Sequence, residues 1–260
     1  MSIITLKNVS KSFGTLSVLK DISIQIPSGQ TTAIIGPSGT GKSVMLKLIV
    51  GLLHADCGEI SCFGTDMARA SITELYAVRQ RFGMLFQDGA LFDSMTVGQN
   101  VAFPLVHHHK SMTETQRRQR VEATLELVEL PNMYQRHTSD LSGGQRKRVG
   151  LARAIVTEPE VVLFDEPNSG LDPITSDAID ALICRMKKML GITFVIISHD
   201  IVGTINVADH IAMLYEGRIV QSAPTDQFVR SEHPIVRAFL ERNLVLPNNA
   251  GEVATLPSLG

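Results

Sequence analysis

The chain has 260 residues, 44% of them hydrophobic, enough for a sizeable core in one large domain or two small ones. A net charge of −2 argues against a nucleic-acid-binding surface. Three scattered cysteines, Cys57, Cys62 and Cys184, make neither a disulfide framework nor a zinc pattern, which points to a reducing compartment. The opening Met1–Gly14 lacks the apolar core of a secretion signal. No run of about 18 apolar residues is present to cross a membrane.

Ile3 to Val9 suits an opening strand, followed by Phe13 within Lys11-Ser12-Phe13-Gly14. Val18 to Ile26 reads as a second strand and Pro27-Ser28-Gly29 as a turn. Thr31 to Ile35 has the β-branched, apolar character of a buried strand, and Met45, Leu46, Leu48, Ile49, Leu52 and Leu53 recur at helical spacing. Between them lies Gly36-Pro37-Ser38-Gly39-Thr40-Gly41-Lys42-Ser43, followed by Val44, which fits the phosphate-cradling pattern G-x-x-x-x-G-K-[ST] in its strand–loop–helix context. Glycines at 36, 39 and 41 let the backbone bend so that successive N–H groups aim at one anion at the positive end of a helix. Lys42 reaches the β- and γ-phosphates and the Ser43 hydroxyl ligates Mg²⁺.

Gly58 to Phe63 reads as a short strand, Ser71 to Val78 as a helix, and Phe82 to Gln87 as an apolar strand ending on a polar residue. Strand signals then vanish from residue 88 to 159, where Glu114 to Leu130 forms a long amphipathic helix, so 88–159 reads as a helical subdomain. Within it, His107-His108-His109-Lys110 reads as a solvated loop rather than a metal site, and Arg117, Arg118 and Arg120 as a solvated helix face, because Glu114, Glu122 and Glu126 share the helix. Strand and helix alternate again from Val161 to Phe164, Asp177 to Leu190 and Ile192 to Ile197; Ile211 to Val220 reads as a hairpin and Asp226 to Leu240 as a last helix. Residues 241–260 have no period and read as a tail, either disordered or docked on a partner. The alternation implies an α/β fold, a mostly parallel sheet with covered faces and added antiparallel strands.

Asp165 and Glu166 stand at the end of the Val161–Phe164 run, where ligands bind in open α/β sheets. Asp165 is placed to hold Mg²⁺, directly or through water, and Glu166 to orient or deprotonate an attacking water. Leu141-Ser142-Gly143-Gly144-Gln145 before a basic helix makes a second nest of N–H groups; alone it is a generic helix cap.

Taken in order, these motifs resemble the ATP-binding-cassette ATPases, and the resemblance covers about Ile3 to Leu240. It implies a P-loop cassette over 1–240 that binds and hydrolyses ATP with Mg²⁺. Gln87 matches the glutamine that joins Mg²⁺ and the helical subdomain, Ser169-Gly170-Leu171-Asp172 the loop that crosses the dimer interface, His199 the switch histidine on the γ-phosphate, and Phe13 the aromatic that stacks on adenine. It also implies a head-to-tail homodimer in which Ser142 to Gln145 serve the partner's ATP. Asn168 departs from the usual Thr, next to the strand end, and bears on hydrolysis rate rather than on fold. A single cassette without a membrane span implies a separate integral permease. Gly89-Ala90-Leu91-Phe92-Asp93-Ser94 and Asn100-Val101-Ala102-Phe103-Pro104-Leu105 are similar to the ATPase subunits of Mce-type lipid transporters, the Mla phospholipid system among them. There the segment after the glutamine meets the permease. That resemblance implies a cytoplasmic-face peripheral subunit, an Mce-domain substrate-binding protein and a STAS-domain subunit as partners. A small-solute uptake ATPase and, more remotely, a soluble non-transport cassette share the ATPase chemistry.

Overall fold

Strand β1 (Ser2–Phe13) pairs antiparallel with β2 (Leu16–Pro27) on one side and with β4 (Cys57–Cys62) on the other, and β5 (Thr65–Asp66) closes the order β2-β1-β4-β5. This is a computed structural model, and it describes residues 1–87 and 89–244. Simple alternation along β1 fails at Asn8, which turns left-handed (φ 52°) and donates from Nδ2 to Asp21 Oδ1 at 2.7 Å, Asp21 itself having φ 56°. The register shifts there, so Ile4, Leu6 and then Val9, an odd step further on, all face the core.

The chain divides into two compact units, Met1–Leu75 with the chain from Val195 onward, and Tyr76–Phe194. The first holds the antiparallel sheet and a run in the order β10 (Arg218–Pro224), β9 (His210–Tyr215), β3 (Thr31–Ile35) and the later part of β8 (Thr193–Ser198). β3 is buried at all five positions and runs parallel to β9, Ile35 opposite Met213; β9 and β10 form the expected hairpin. Helices α1 (Lys42–Ile49), α7 (Ile201–Val207), α8 (Thr225–Phe228) and α9 (Pro234–Asn243) belong to this unit. α1 ends at Ile49 rather than running on to Leu53, because Gly51 turns left-handed (φ 68°) and leaves Leu52 exposed. The single last helix expected over 226–240 is broken in two. His233 is extended before Pro234, as a residue preceding proline prefers, and Pro234 starts a new helix. That helix runs to Asn243, so the first residues of the expected tail are helical; residues 245–260 lie outside the described residues.

In the second unit β6 (Phe82–Leu85) runs parallel to β7 (Val161–Asp165), Leu85 opposite Phe164, next to the start of β8. Around them lie α2 (Ile72–Gln80, most of it in this unit), α3 (Val97–His108), α4 (Glu114–Leu127), α5 (Gly143–Ile155) and α6 (Pro173–Leu190). Thr96 with Gln99 and Thr113 with Gln116 form capping boxes that start α3 and α4. α4 stops at Leu127, short of Leu130, where Glu129 takes φ 60°. α6 starts four residues earlier than periodicity suggests, because Asp172 caps it and Pro173 supplies a pre-set φ. It buries Ile179, Leu182, Ile183 and Met186 at helical spacing, about 1.5–3 kcal/mol for each fully buried side chain. The three histidines close α3 rather than forming a loop: His107 stacks on Phe103 at 4.5 Å and His109 is the cap. The basic face of α4 is paired, Arg118 with Glu122 at 2.9 Å and Arg120 with Glu158 at 2.6 Å.

Among the described residues no helix is long and apolar enough to cross a membrane, and no group of three or more His, Cys, Asp or Glu side chains is placed to hold a metal.

Candidate functional site

The first unit carries the phosphate loop. Gly36 leaves β3 with φ 151°, and a Cβ there would stand 2.0 Å from Leu214 O on β9, so only glycine fits. Gly39 (φ 79°) and Gly41 (φ 102°) are also left-handed, and Gly41 is the N-cap of α1. No side chain caps that helix and its first turn contains no acid, and the positive end of a helix dipole favours an anion there. Pro37 and Ser38 follow Gly36, and Thr40 donates to Pro37 O at 2.9 Å. Lys42 is 5% exposed and donates to Gly36 O at 2.8 Å and to Pro37 O at 2.9 Å, so its ammonium lies along the inside of the cradle. Ser43 and Val44 follow in the first turn of α1.

The same unit places Phe13 at the end of β1, 47% exposed, with Lys11 Nζ 5.5 Å from its ring centre. An exposed ring is what base stacking needs. His199 follows β8 directly and is exposed; Asp200 after it caps α7, accepting from Val202 N at 3.0 Å and Gly203 N at 3.3 Å.

The second unit brings the remaining residues together. The parallel register of β6 and β7 carries Gln87 and Glu166 to the same end of the strand pair, although β6 itself ends at Leu85 and Gln87 lies two residues beyond it. Gln87 donates from Nε2 to Ser169 Oγ at 3.2 Å, which ties it to the Ser169–Asp172 loop. Asp165 is the last residue of β7, and Glu166 turns left-handed with φ 52°. That conformation costs a non-glycine residue about 1–3 kcal/mol and is held only where the surroundings determine it. Asn168 Nδ2 donates to Asp180 Oδ1 at 2.9 Å, anchoring the loop after Glu166 to a buried carboxylate on α6.

Ser142 starts α5 as a full capping box: its Oγ accepts from Gln145 N at 3.3 Å and its own N–H donates to Gln145 Oε1 at 3.0 Å. Gly143 and Gly144 pack closely against the next loop and helix; a Cβ on Gly143 would lie 3.4 Å from Leu171 and one on Gly144 2.6 Å from Thr175. Thr175, through its hydroxyl and then its main-chain N–H, holds the Asp172 carboxyl below the usual carboxylate range.

The contacts of three residues here escaped the reading of the sequence, which noted Lys147 only as part of a basic helix and Asn100 only within the Asn100–Leu105 segment. Lys147 is 5% exposed and donates to Gln87 O and, at 3.3 Å, to Glu166 O. Its position was visible: Gly144, Lys147, Leu151 and Ala154 form the buried stripe of α5, a lysine on an apolar face. Asn100, fully buried on α3, accepts from Phe92 N at 2.8 Å and donates to Phe92 O at 3.1 Å. Arg153 donates to Gly89 O at 2.8 Å and Ala90 O at 2.9 Å, and burial lowers the pKa of its guanidinium. Beside this segment opens a cleft of about 410 Å³ lined by Arg79, Phe82, Phe86, Phe92, Phe103 and Arg153 among others.

Comparison with known proteins agrees with these features. Residues 19–169 match the ABC transporter family model. The chain is 41% identical to the probable ribonucleotide transport ATP-binding protein mkl of Mycobacterium leprae, over 96% of this chain and 72% of that protein. It is 39% identical to the intermembrane phospholipid transport system ATP-binding protein MlaF of Haemophilus influenzae, over 92% and 90%. Among solved structures it resembles the dimeric post-hydrolysis state of the ATP-binding cassette MJ0796 bound to ADP and Pi, with a TM-score of 0.77, 31% identity, and 85% and 98% covered. With a G-x-x-x-x-G-K-S loop, an Asp-Glu strand end and a capped Ser-Gly-Gly-Gln helix in one α/β chain, it belongs to the ABC transporter family, as an ATP-hydrolysing, ATP-binding subunit.

Proposed function

We propose that the chain is the motor of an Mce-type transporter that moves phospholipid between the inner and outer membranes and so maintains outer-membrane lipid asymmetry. It works as a homodimer on the cytoplasmic face of the inner membrane, bound to an integral permease. An Mce-domain substrate-binding protein and a STAS-domain subunit complete the assembly. The observation that carries this reading is the 39% identity to a named phospholipid transport ATPase across 90% of that protein's length. The aromatic cleft beside Phe86 and Phe92 supports it as the seat of the permease.

On this reading residues 36–44 cradle the ATP phosphates, Phe13 stacks on the adenine, and Ser142 to Gln145 close over the partner's nucleotide. Glu166 orients or deprotonates the attacking water and His199 contacts the γ-phosphate, so the chemistry is positioning and charge stabilisation. Ser43 in the first unit, and Asp165 and Gln87 in the second, each offer oxygen, the donor Mg²⁺ prefers, and Gln87 uses its amide nitrogen on Ser169. When bound, Mg²⁺ neutralises charge that develops on the phosphates. The interface loop, Ser169 to Asp172, lies against Gly143 through Leu171, which suits a shared role at a dimer contact.

The name of the M. leprae relative, a ribonucleotide transport protein, favours a second reading, an ATPase for a small solute. Purification from native membranes in mild detergent, with mass spectrometry of proteins and lipids, separates the two. A permease, an Mce-domain protein and bound phospholipid support the first. A permease with a soluble solute-binding protein and no lipid supports the second, and no membrane subunit at all overturns both.

A further inference from the structure

We infer that Lys147 is a positioning residue for hydrolysis: its buried ammonium ties α5 to the main chain of both Gln87 and Glu166. The inference rests on the roles proposed above for Glu166 and for the Ser142–Gln145 helix start.

A lysine is almost never fully buried unless its charge is matched. Lys147 is 5% exposed, one turn into α5, and its Nζ donates to Gln87 O and to Glu166 O. An ammonium has three donors and no acceptor, so it can bridge several carbonyls at once. Both carbonyls belong to residues placed in the hydrolytic machinery. At Glu166 the main chain is left-handed, φ 52°, a conformation that persists only where neighbours hold it. A donor on the Glu166 carbonyl fixes the peptide that follows the carboxylate-bearing residue, and therefore the main chain from which the carboxylate projects.

The same face of α5 grips the neighbouring segment. A Cβ on Gly150 would come within 3.3 Å of Gly89 Cα, and Arg153 donates to Gly89 O and Ala90 O. Gly150 and Arg153 lie three and six residues beyond Lys147, so Gly89 and Ala90 ride on α5. Of these three, Lys147 is the residue that also reaches Glu166. On the dimeric reading, the N-terminus of α5 serves one ATP while Gln87 and Glu166 serve the other. Lys147 thus connects the two sites through a single side chain, and closure over the partner's nucleotide sets the main chain that carries this chain's own Glu166 carboxylate.

The test measures kcat, KM for ATP, nucleotide affinity and thermal midpoint in the full-length chain within its native complex, for wild type, K147M, K147R, K147Q and E166Q. K147M keeps the length and removes every donor. Its kcat falls about 10- to 100-fold, the scale of a misplaced catalytic group, while KM and ATP affinity stay within about twofold. K147R restores a donor and recovers at least part of the lost turnover. Wild-type kcat in K147M, with E166Q inactive, overturns the inference, as does a loss of ATP affinity or thermal midpoint that matches the loss of turnover. If K147M does not fold, K147Q decides in its place: reduced kcat at unchanged affinity sustains the inference and wild-type kcat overturns it. Turnover retained in E166Q overturns the reading of Glu166 and this inference with it, a result distinct from the others because it does not depend on position 147.

Discussion

At Glu166 a fully buried strand run gives way, within two residues, to a left-handed main chain. Replacing the carboxylate by an amide keeps shape and backbone but removes the base proposed for hydrolysis. E166Q is therefore expected to bind ATP normally and to turn over at least ~10²-fold more slowly, measured by phosphate release and nucleotide titration; unimpaired turnover removes Glu166 from that role. Lys42 behaves differently, because its ammonium already closes the phosphate loop through Gly36 O and Pro37 O. K42A removes both that closure and the charge proposed to meet the phosphates. ATP affinity is expected to fall at least about tenfold, since a hydrogen bond to a charged group contributes about 1.5–3 kcal/mol. A normal dissociation constant in K42A counts against the phosphate-loop assignment.

Single side chains hold whole elements in register in the second unit. Asn100 fastens α3 to Phe92 by accepting its N–H and donating to its carbonyl. N100A leaves these main-chain groups without those bonds and is expected to lower stability by about 1–3 kcal/mol, read from urea unfolding. Glu129 links α5 to α6, accepting from Arg148 and Arg185, and these two guanidiniums hold its carboxyl below its ordinary value of 4.5. A depressed folded-state pKa stabilises above the ordinary value and loses that contribution as pH falls through the folded one. The carboxylate is 44% exposed, so E129Q is expected to cost at most about 1 kcal/mol at pH 7. The difference from wild type should narrow below pH 4.5; a constant difference across that window removes the ion pairs from the account. These ties explain what was legible beforehand and what was not. The phosphate loop and the Asp165-Glu166 strand end are contiguous in the chain, and their chemistry is written in adjacent residues. Lys147 and Asn100 act on main-chain groups whose residue identity carries no trace of the partner. The break before Pro234 and the early start of α6 at Asp172-Pro173 were encoded in proline, but periodicity across those positions looked continuous or belonged to a different motif.

For the assembled molecule, the proposed division of labour makes hydrolysis depend on pairing, because Ser142 to Gln145 act on the partner's nucleotide. The specific activity of the isolated chain is expected to rise with protein concentration, and E166Q with ATP to elute at twice the monomer mass in size-exclusion chromatography with light scattering. A specific activity independent of concentration, with E166Q remaining monomeric, overturns the shared site. The antiparallel sheet offers a practical handle on such experiments. Cys57 and Cys62 are the first and last residues of β4. Cys62 is buried, and its thiol is pushed up to about 12, whereas Cys57 is exposed. A maleimide dye at neutral pH should therefore choose Cys57 over its neighbour. Cys57 is thus the most exposed of the three thiols, ahead of the half-buried Cys184, and offers a fluorescence attachment point on the unit that carries residues 36–43, without any engineered cysteine.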